Sequence, residues 1–194
     1  MKKRLIVATR NAHKVEEIRS ILRGYEVCDL SVITDPPEVE ETGTTFLENA
    51  KLKALAISEV TDALVLSDDS GLEVDALDGA PGVYSARYAG EDGNDALNNE
   101  KLLRELSGVT ERGARFRCVI VFAQAGQSLA HFAGAVEGRI LEAAKEGGGF
   151  GYDPLFAPEG FTESFAELGE ETKNMLSHRA RALEGASEWL NQSS

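Results

Sequence analysis

Ala63-Leu64-Val65-Leu66-Ser67-Asp68-Asp69-Ser70-Gly71-Leu72-Glu73 joins an apolar run to two adjacent carboxylates, a hydroxyl and a glycine. The apolar residues read as a buried strand, and the polar ones then fall where that strand ends. In open α/β sheets, strand ends carry the ligand, because the sheet fixes the backbone while side chains reach into the crevice. Hard carboxylate oxygens at such a place suit Mg²⁺. Read alone, Asp-Asp-Ser-Gly serves equally as a loop whose Asp and Ser cap a turn. The rest of the chain decides.

Upstream, residues 5–8 form a short apolar strand, followed by Val15, Ile18 and Leu22 at helical spacing until Gly24. A second strand is expected over residues 27–33, then an exposed loop from Asp35 to Gly43, rich in proline and acid. Thr45-Phe46-Leu47-Glu48 is a capping box that opens a helix with the apolar stripe Leu47, Ala50, Ala54 and Ile57. Downstream, Gly79-Ala80-Pro81-Gly82 marks a turn. A helix is predicted over residues 95–106, burying Leu97, Leu102 and Leu106. The period then changes from helical to alternating. Phe116, Cys118, Ile120 and Phe122 alternate with Arg117, Val119 and Val121, and a turn at Gly126 leads to a second extended run over residues 128–137, giving a long antiparallel hairpin. A glycine-rich loop over residues 146–153, a short strand at Leu155-Phe156 and helical patterning to Leu190 complete the chain. Parallel pairing near the start and antiparallel pairing later make an α/β (α+β) fold with a mixed sheet flanked by helices.

The 194 residues suffice for a single domain, 1–194, with one substantial core or two lobes around a cleft. Apolar content of 42% and charged content of 27% are those of a soluble globular protein, and no segment has the apolar length to cross a bilayer. The basic start turns polar at Thr9-Arg10-Asn11, too early for a secretory signal. Cys28 and Cys118 lie far apart without metal-ligand spacing, which points to a reducing, cytoplasmic setting. A formal net charge of −13 argues against long nucleic acid or anionic membrane as partners. A small anion remains admissible where basic residues converge, because distant acids are screened beyond about 8 Å in physiological salt.

Four constellations offer such chemistry. Thr9-Arg10-Asn11-Ala12-His13-Lys14 sits between the first strand and first helix, where backbone N–H groups and the helix dipole attract anions. Asn11 serves there equally as an N-cap. Glu38 to Glu41 form an acidic loop, a solvated surface unless it folds toward Asp68 and Asp69. In that case, with Lys53 nearby, it completes an oxygen-rich Mg²⁺ site. Gly147-Gly148-Gly149-Phe150-Gly151-Tyr152-Asp153-Pro154 lets backbone approach a ligand closely and offers aromatics to a heterocyclic base, or it is a turn with Phe150 in the core. Lys173 and Ser177-His178-Arg179 form the fourth. Ser177 reads as an N-cap, and Arg179 on a first helical turn opposes the dipole and so wants an external acceptor.

Thr9-x-Asn11-x-x-Lys14, Glu40-Glu41-Thr42-Gly43-x-Thr45-Phe46-x-Glu48-Asn49-Ala50, Asp68-Asp69-Ser70-Gly71-Leu72, Gly79-Ala80-Pro81-Gly82-x-x-Ser85-Ala86-Arg87, Phe150-Gly151-Tyr152-Asp153-Pro154 and Ser177-His178-Arg179, in this order over almost the whole chain, resemble the ITP/XTP pyrophosphatase family. The resemblance implies an elongated mixed sheet in two lobes around a central nucleotide cleft, a homodimer, and hydrolysis of ITP, dITP and XTP to monophosphate and pyrophosphate. It implies triphosphate contacts at the Thr9 to Lys14 segment, including Arg10, Ala12 and His13, and at Lys53 and Lys173. Mg²⁺ would lie on Glu40 and Asp69, with Glu41 and Asp68 nearby and Asp69 as the catalytic residue. Ser70, Phe150, Gly151, Tyr152, Asp153, His178 and Arg179 would surround the nucleoside. Two rival readings stand beside it: a pyrophosphatase for pyrimidine or modified nucleotides, and a nucleotide-binding protein without turnover.

Overall fold

The elements run β1 (Arg4–Val7), α1 (Ala12–Ile21), β2 (Glu26–Cys28), α2 (Phe46–Ser58), β3 (Leu64–Val74), α3 (Asp95–Glu105), β4 (Gly113–Gln124), β5 (Gln127–Ile140), β6 (Phe156–Pro158), α4 (Phe165–Leu176) and α5 (His178–Gln192). They come from a computed structural model that describes residues 2–90 and 93–192. The strands form one six-stranded sheet in the order β2-β1-β3-β4-β5-β6. β1 pairs in parallel with β2 and β3, and β5 pairs antiparallel with β6, so the sheet is mixed as its patterning predicts. The chain divides into two compact units: Met1–Asp69 with Cys118–Gly134 and Arg179–Ser194, and Ser70–Arg117 with Ala135–His178.

In the first unit both sheet faces are covered. Successive strand residues point to opposite faces. Leu66 of β3 and Cys118, Ile120 and Phe122 of β4 therefore join Val15 and Ile18 of α1 and Leu183 and Ala186 of α5 in one cluster. Val121 and Ala123 of β4 pack on Ala50 and Ala54 of α2, and Val65 of β3 on Ile57. The capping box forms as its sequence predicts: the Glu48 N–H donates to Thr45 Oγ1, and the Thr45 N–H donates to the Glu48 carboxylate.

In the second unit the even-numbered residues Leu72, Val74, Ala114, Phe116, Val136 and Ile140 face a core with Leu102, Phe156 and Phe165. The odd-numbered residues carry a ladder of ion pairs, with Arg115 on Glu137 and Asp75 at 2.9 and 2.8 Å and Arg117 on Glu73 at 2.6 Å.

Three expectations are corrected. The second strand stops at Cys28, because Asp29 accepts the Ser31 N–H and folds Leu30–Val32 into a 3₁₀ turn in place of a ladder. Leu97 is exposed; Asn98 shares the buried face with Leu102 and Leu106, donating to the Ala86 carbonyl and accepting from the Ala89 N–H. Most consequentially, Asp68 to Gly71 do not follow a strand end: β3 runs through them to Val74.

Close backbone approach fixes one glycine on the β5–β6 pair. A Cβ on Gly138 would lie 2.3 Å from the Ala157 carbonyl and 2.6 Å from the Phe156 ring. Gly138→Ala is therefore expected to cost about 1–3 kcal/mol, the usual range for overpacking, read as a lowered midpoint of thermal unfolding.

Candidate active site

Adjacent residues on a continuous strand must diverge, so Asp68 and Asp69 have different surroundings. Asp68, fully buried, accepts from Arg179 Nε and Nη2 at 3.2 and 2.8 Å and lies 3.3 Å from Lys14 Nζ. Burial would raise its pKa, but Lys14, Arg179 and Lys53 together outweigh burial and hold it well below the usual carboxylate range. Arg179 in turn pairs with buried Glu17 of α1. Its acceptors thus include two carboxylates of its own chain.

Asp69 lies toward α2. Lys53 Nζ donates to Glu41 Oε1 at 2.7 Å and lies 3.4 Å from Asp69 Oδ1. Asp69 Oδ2 is buried and has no hydrogen-bond partner among the described residues. Burial raises the Asp69 pKa, aided by Glu41 and Asp68, against the lowering effect of Lys53 and Lys14. A raised carboxyl with an unpartnered oxygen can take a proton or a cation.

The turn from β1 to α1 is held by Asn11, whose Oδ1 accepts the His13 and Lys14 N–H groups at 2.9 and 3.3 Å. The N-cap reading is therefore realised. Thr9 Oγ1 accepts the Asn11 N–H, while Arg10, Ala12 and His13 are exposed, Arg10 lying 3.8 Å from Glu38. The acidic loop docks on α2 through Gly43, whose N–H donates to Asn49 Oδ1 at 2.8 Å. A Cβ there would meet that same oxygen at 2.6 Å. It is Glu41 that reaches Lys53, and Glu40 is exposed. Among the described residues no three His, Cys, Asp or Glu side chains gather as a ready-made metal cage.

The second unit holds the other predicted residues. Tyr152 is buried and its hydroxyl donates to the Ser85 carbonyl, so this aromatic belongs to the core, while Phe150 is half-buried. Asp153 Oδ2 accepts from the Phe150 N–H at 2.9 Å and from Lys173 Nζ at 2.6 Å, and Lys173 Nζ sits 4.3 Å from the Phe150 ring centroid. Lys173 is thus gathered with Phe150 and Asp153. His178 stacks on Phe116 with ring centroids 4.9 Å apart, and Ser70 is half-buried on β3.

Sequence reasoning passed over Glu17, Asp95 and Asn99. Glu17 carried a faint signal: at residues 15 and 18 the α1 stripe is apolar, and an acid lies between them. Asp95 and Asn99 hold Gly151 from α3, and nothing in local composition marks them.

The Ham1 family model matches residues 5–189. The chain is 51% identical over 193 residues to the dITP/XTP pyrophosphatase of Desulforamulus reducens, covering 97% of this chain and 96% of that one. It is 47% identical over 192 residues to the dITP/XTP pyrophosphatase of Bacillus subtilis, covering 97% of each. Among solved structures, the Staphylococcus aureus Ham1 protein superposes with a TM-score of 0.88 at 40% identity, covering 99% of this chain and all of that one. A HAM1 protein from Coxiella burnetii gives 0.88 at 37% identity, covering 98% and 99%.

Removing Arg179 strips two donors from buried Asp68 and a cation from buried Glu17, so Arg179→Ala is expected to cost about 3–5 kcal/mol in thermal or urea unfolding. Because the Asp68 pKa is depressed on folding, its stabilisation is full above the unfolded value and is lost as pH falls below about 3.8. Asp68→Asn should flatten that acid limb of the stability profile.

Proposed function

This chain belongs to the Ham1 family, and from that premise we propose that it hydrolyses ITP, dITP and XTP to the nucleoside monophosphate and pyrophosphate, clearing these purines from the nucleotide pool. The observation that carries the reading is Asp69, buried with one unpartnered oxygen beside Lys53. Proteins that match the chain over nearly its whole length bear the name dITP/XTP pyrophosphatase. A pure binder gains nothing from such a carboxyl, whereas a hydrolase can use it on water.

The unpartnered Asp69 oxygen is also what supports Mg²⁺, which is commonly held by one or two carboxylates together with substrate phosphates. Asp69, with Glu40 of the neighbouring loop, would hold the ion. When bound it supplies charge neutralisation on phosphate oxygens and a more acidic water.

The residues of the chain divide the remaining work. Water attacks the α-phosphorus, the bond from that phosphorus to the bridging oxygen breaks, and pyrophosphate departs with its electron pair. Asp69 orients or deprotonates the water. Lys14 and Lys53 offset the charge on the departing group, and Thr9 and Asn11 shape the turn that receives phosphate. In the second unit Phe150 stacks on the purine, and Asp153, Lys173 and His178 supply polar contacts. Donors aimed at a 6-oxo group disfavour adenine, whose amino group is itself a donor. Homodimeric assembly and a cytoplasmic location belong to the same proposal, and light scattering reports the first.

Pyrophosphate release from ITP, XTP, dITP, GTP, ATP and dTTP, each with Mg²⁺ and with EDTA, tests the reading. Metal-dependent release selective for ITP, dITP and XTP, with monophosphate as coproduct, is expected. Release from every base alike would remove the specificity, and none from any would leave a binding protein. Asp69→Asn should abolish turnover while nucleotide still binds; Lys14→Ala should mainly raise KM.

A further inference from the structure

One residue of the Phe150 loop is held on both of its backbone polar groups by a single helix. The Gly151 N–H donates to Asp95 Oδ2 at 2.6 Å, and the Gly151 carbonyl accepts from Asn99 Nδ2 at 2.8 Å. Asp95 and Asn99 are four apart on α3, one turn, and so share a face. Gly151 has φ 63°, in the left-handed region, within a stretch that is glycine at 147, 148, 149 and 151. Such a segment has many accessible conformations, and fixing both polar groups of one residue selects among them.

The flanking residues show what that selection controls. Tyr152, on one side, is anchored in the core. Phe150, on the other, is half-buried, with the Lys173 ammonium over its ring. Gly151 links them through two peptide units, and α3 holds one by its N–H and the other by its carbonyl, so the backbone that carries Phe150 is fixed relative to the anchored Tyr152. Asn99 bears a further mark of function. With Nδ2 given to Gly151, its Oδ1 is left buried and without a hydrogen-bond partner among the described residues. Turning the amide over would satisfy nothing at Gly151, since an oxygen would then face the carbonyl. A side chain that orphans an acceptor is a poor choice for stability alone.

We propose that Asp95 and Asn99 are positioning residues for purine recognition: they clamp the Gly151 peptide so that the Phe150 ring is presented to the base in one orientation. The inference rests on the nucleotide reading above. The clamp acts on affinity for the base and leaves the hydrolytic groups of the first unit untouched.

The test compares wild type, Asp95→Ala, Asp95→Asn, Asn99→Ala and Asn99→Asp by kcat and KM for ITP and by calorimetric binding of ITP, with thermal unfolding alongside. Losing a hydrogen bond that presets the ring should raise KM about tenfold in Asp95→Ala and Asn99→Ala while kcat stays within about twofold. Asp95→Asn keeps an acceptor for the Gly151 N–H and should restore KM to within about twofold of wild type. Asn99→Asp sets a carboxylate against a carbonyl and should be worse than Asn99→Ala; being isosteric, it is the deciding variant if the alanine variants fail to fold. Unchanged KM in the folded variants, a fall in kcat alone, or Asp95→Asn as damaged as Asp95→Ala would overturn the clamp, the last pointing to helix charge instead. A wild type that turns over ITP beside indifferent variants sinks only the clamp. A wild type that neither hydrolyses nor binds ITP sinks the nucleotide reading and the clamp with it.

Discussion

A carboxylate with no solvent exposure, Asp68, is the constraint around which the first unit is assembled. An ionised group taken out of water needs both countercharge and hydrogen bonds, or it costs several kcal/mol. Arg179 supplies two donors from the start of α5 and Lys14 a cation from α1, and Glu17 balances the second charge that Arg179 brings in. Buried pairs of this kind seldom add net stability over a well-packed apolar core. What they fix is position. Lys14 and the N-terminal turn of α1 are tied to β3, and so is α5, whatever the surrounding leucines and valines would tolerate.

That network also explains why Asp68 and Asp69 have different fates. Had the strand ended at Leu66, both acids could have turned toward one ligand, as the local sequence suggests. The strand continues, so alternation sends Asp68 into the cluster with α1 and α5 and leaves Asp69 to Lys53 of α2. An Asp-Asp-Ser-Gly segment has poor strand propensity, and its local reading is a turn. Tertiary contact overrules it: the guanidinium that makes Asp68 admissible inside a sheet lies 111 residues away in the chain.

Elements with strong periodicity were legible from sequence. The capping box before α2, the alternation of β4 and the turn at Gly126 each follow from local chemistry that the fold leaves intact. Of the site, the residue types were legible and their partnerships were not. Phe150 and Tyr152 are equivalent in a motif, yet one is half-buried and the other reaches the Ser85 carbonyl in the core. Lys173 reads as a phosphate contact from its type alone, and its Asp153 partner at 2.6 Å is not visible in the local sequence. Asp95 and Asn99 stayed hidden because a helix surface full of polar residues gives no hint of which two face a distant peptide.

The opposing influences on Asp69 connect the packing to the proposed chemistry. Burial raises the carboxyl and Lys53 draws it down, while Lys53 itself is shared with Glu41. A fully neutralised Asp69 would be inert, like Asp68, whose cations keep it ionised far below any working pH. On the proposed reading, phosphate oxygens engage Lys53 and Lys14 as substrate arrives, and the unpartnered Asp69 oxygen faces the ion and the water. The same strand thus holds one aspartate whose charge is spent on structure and one whose charge is left adjustable, and the difference between them is the alternation of a β-strand.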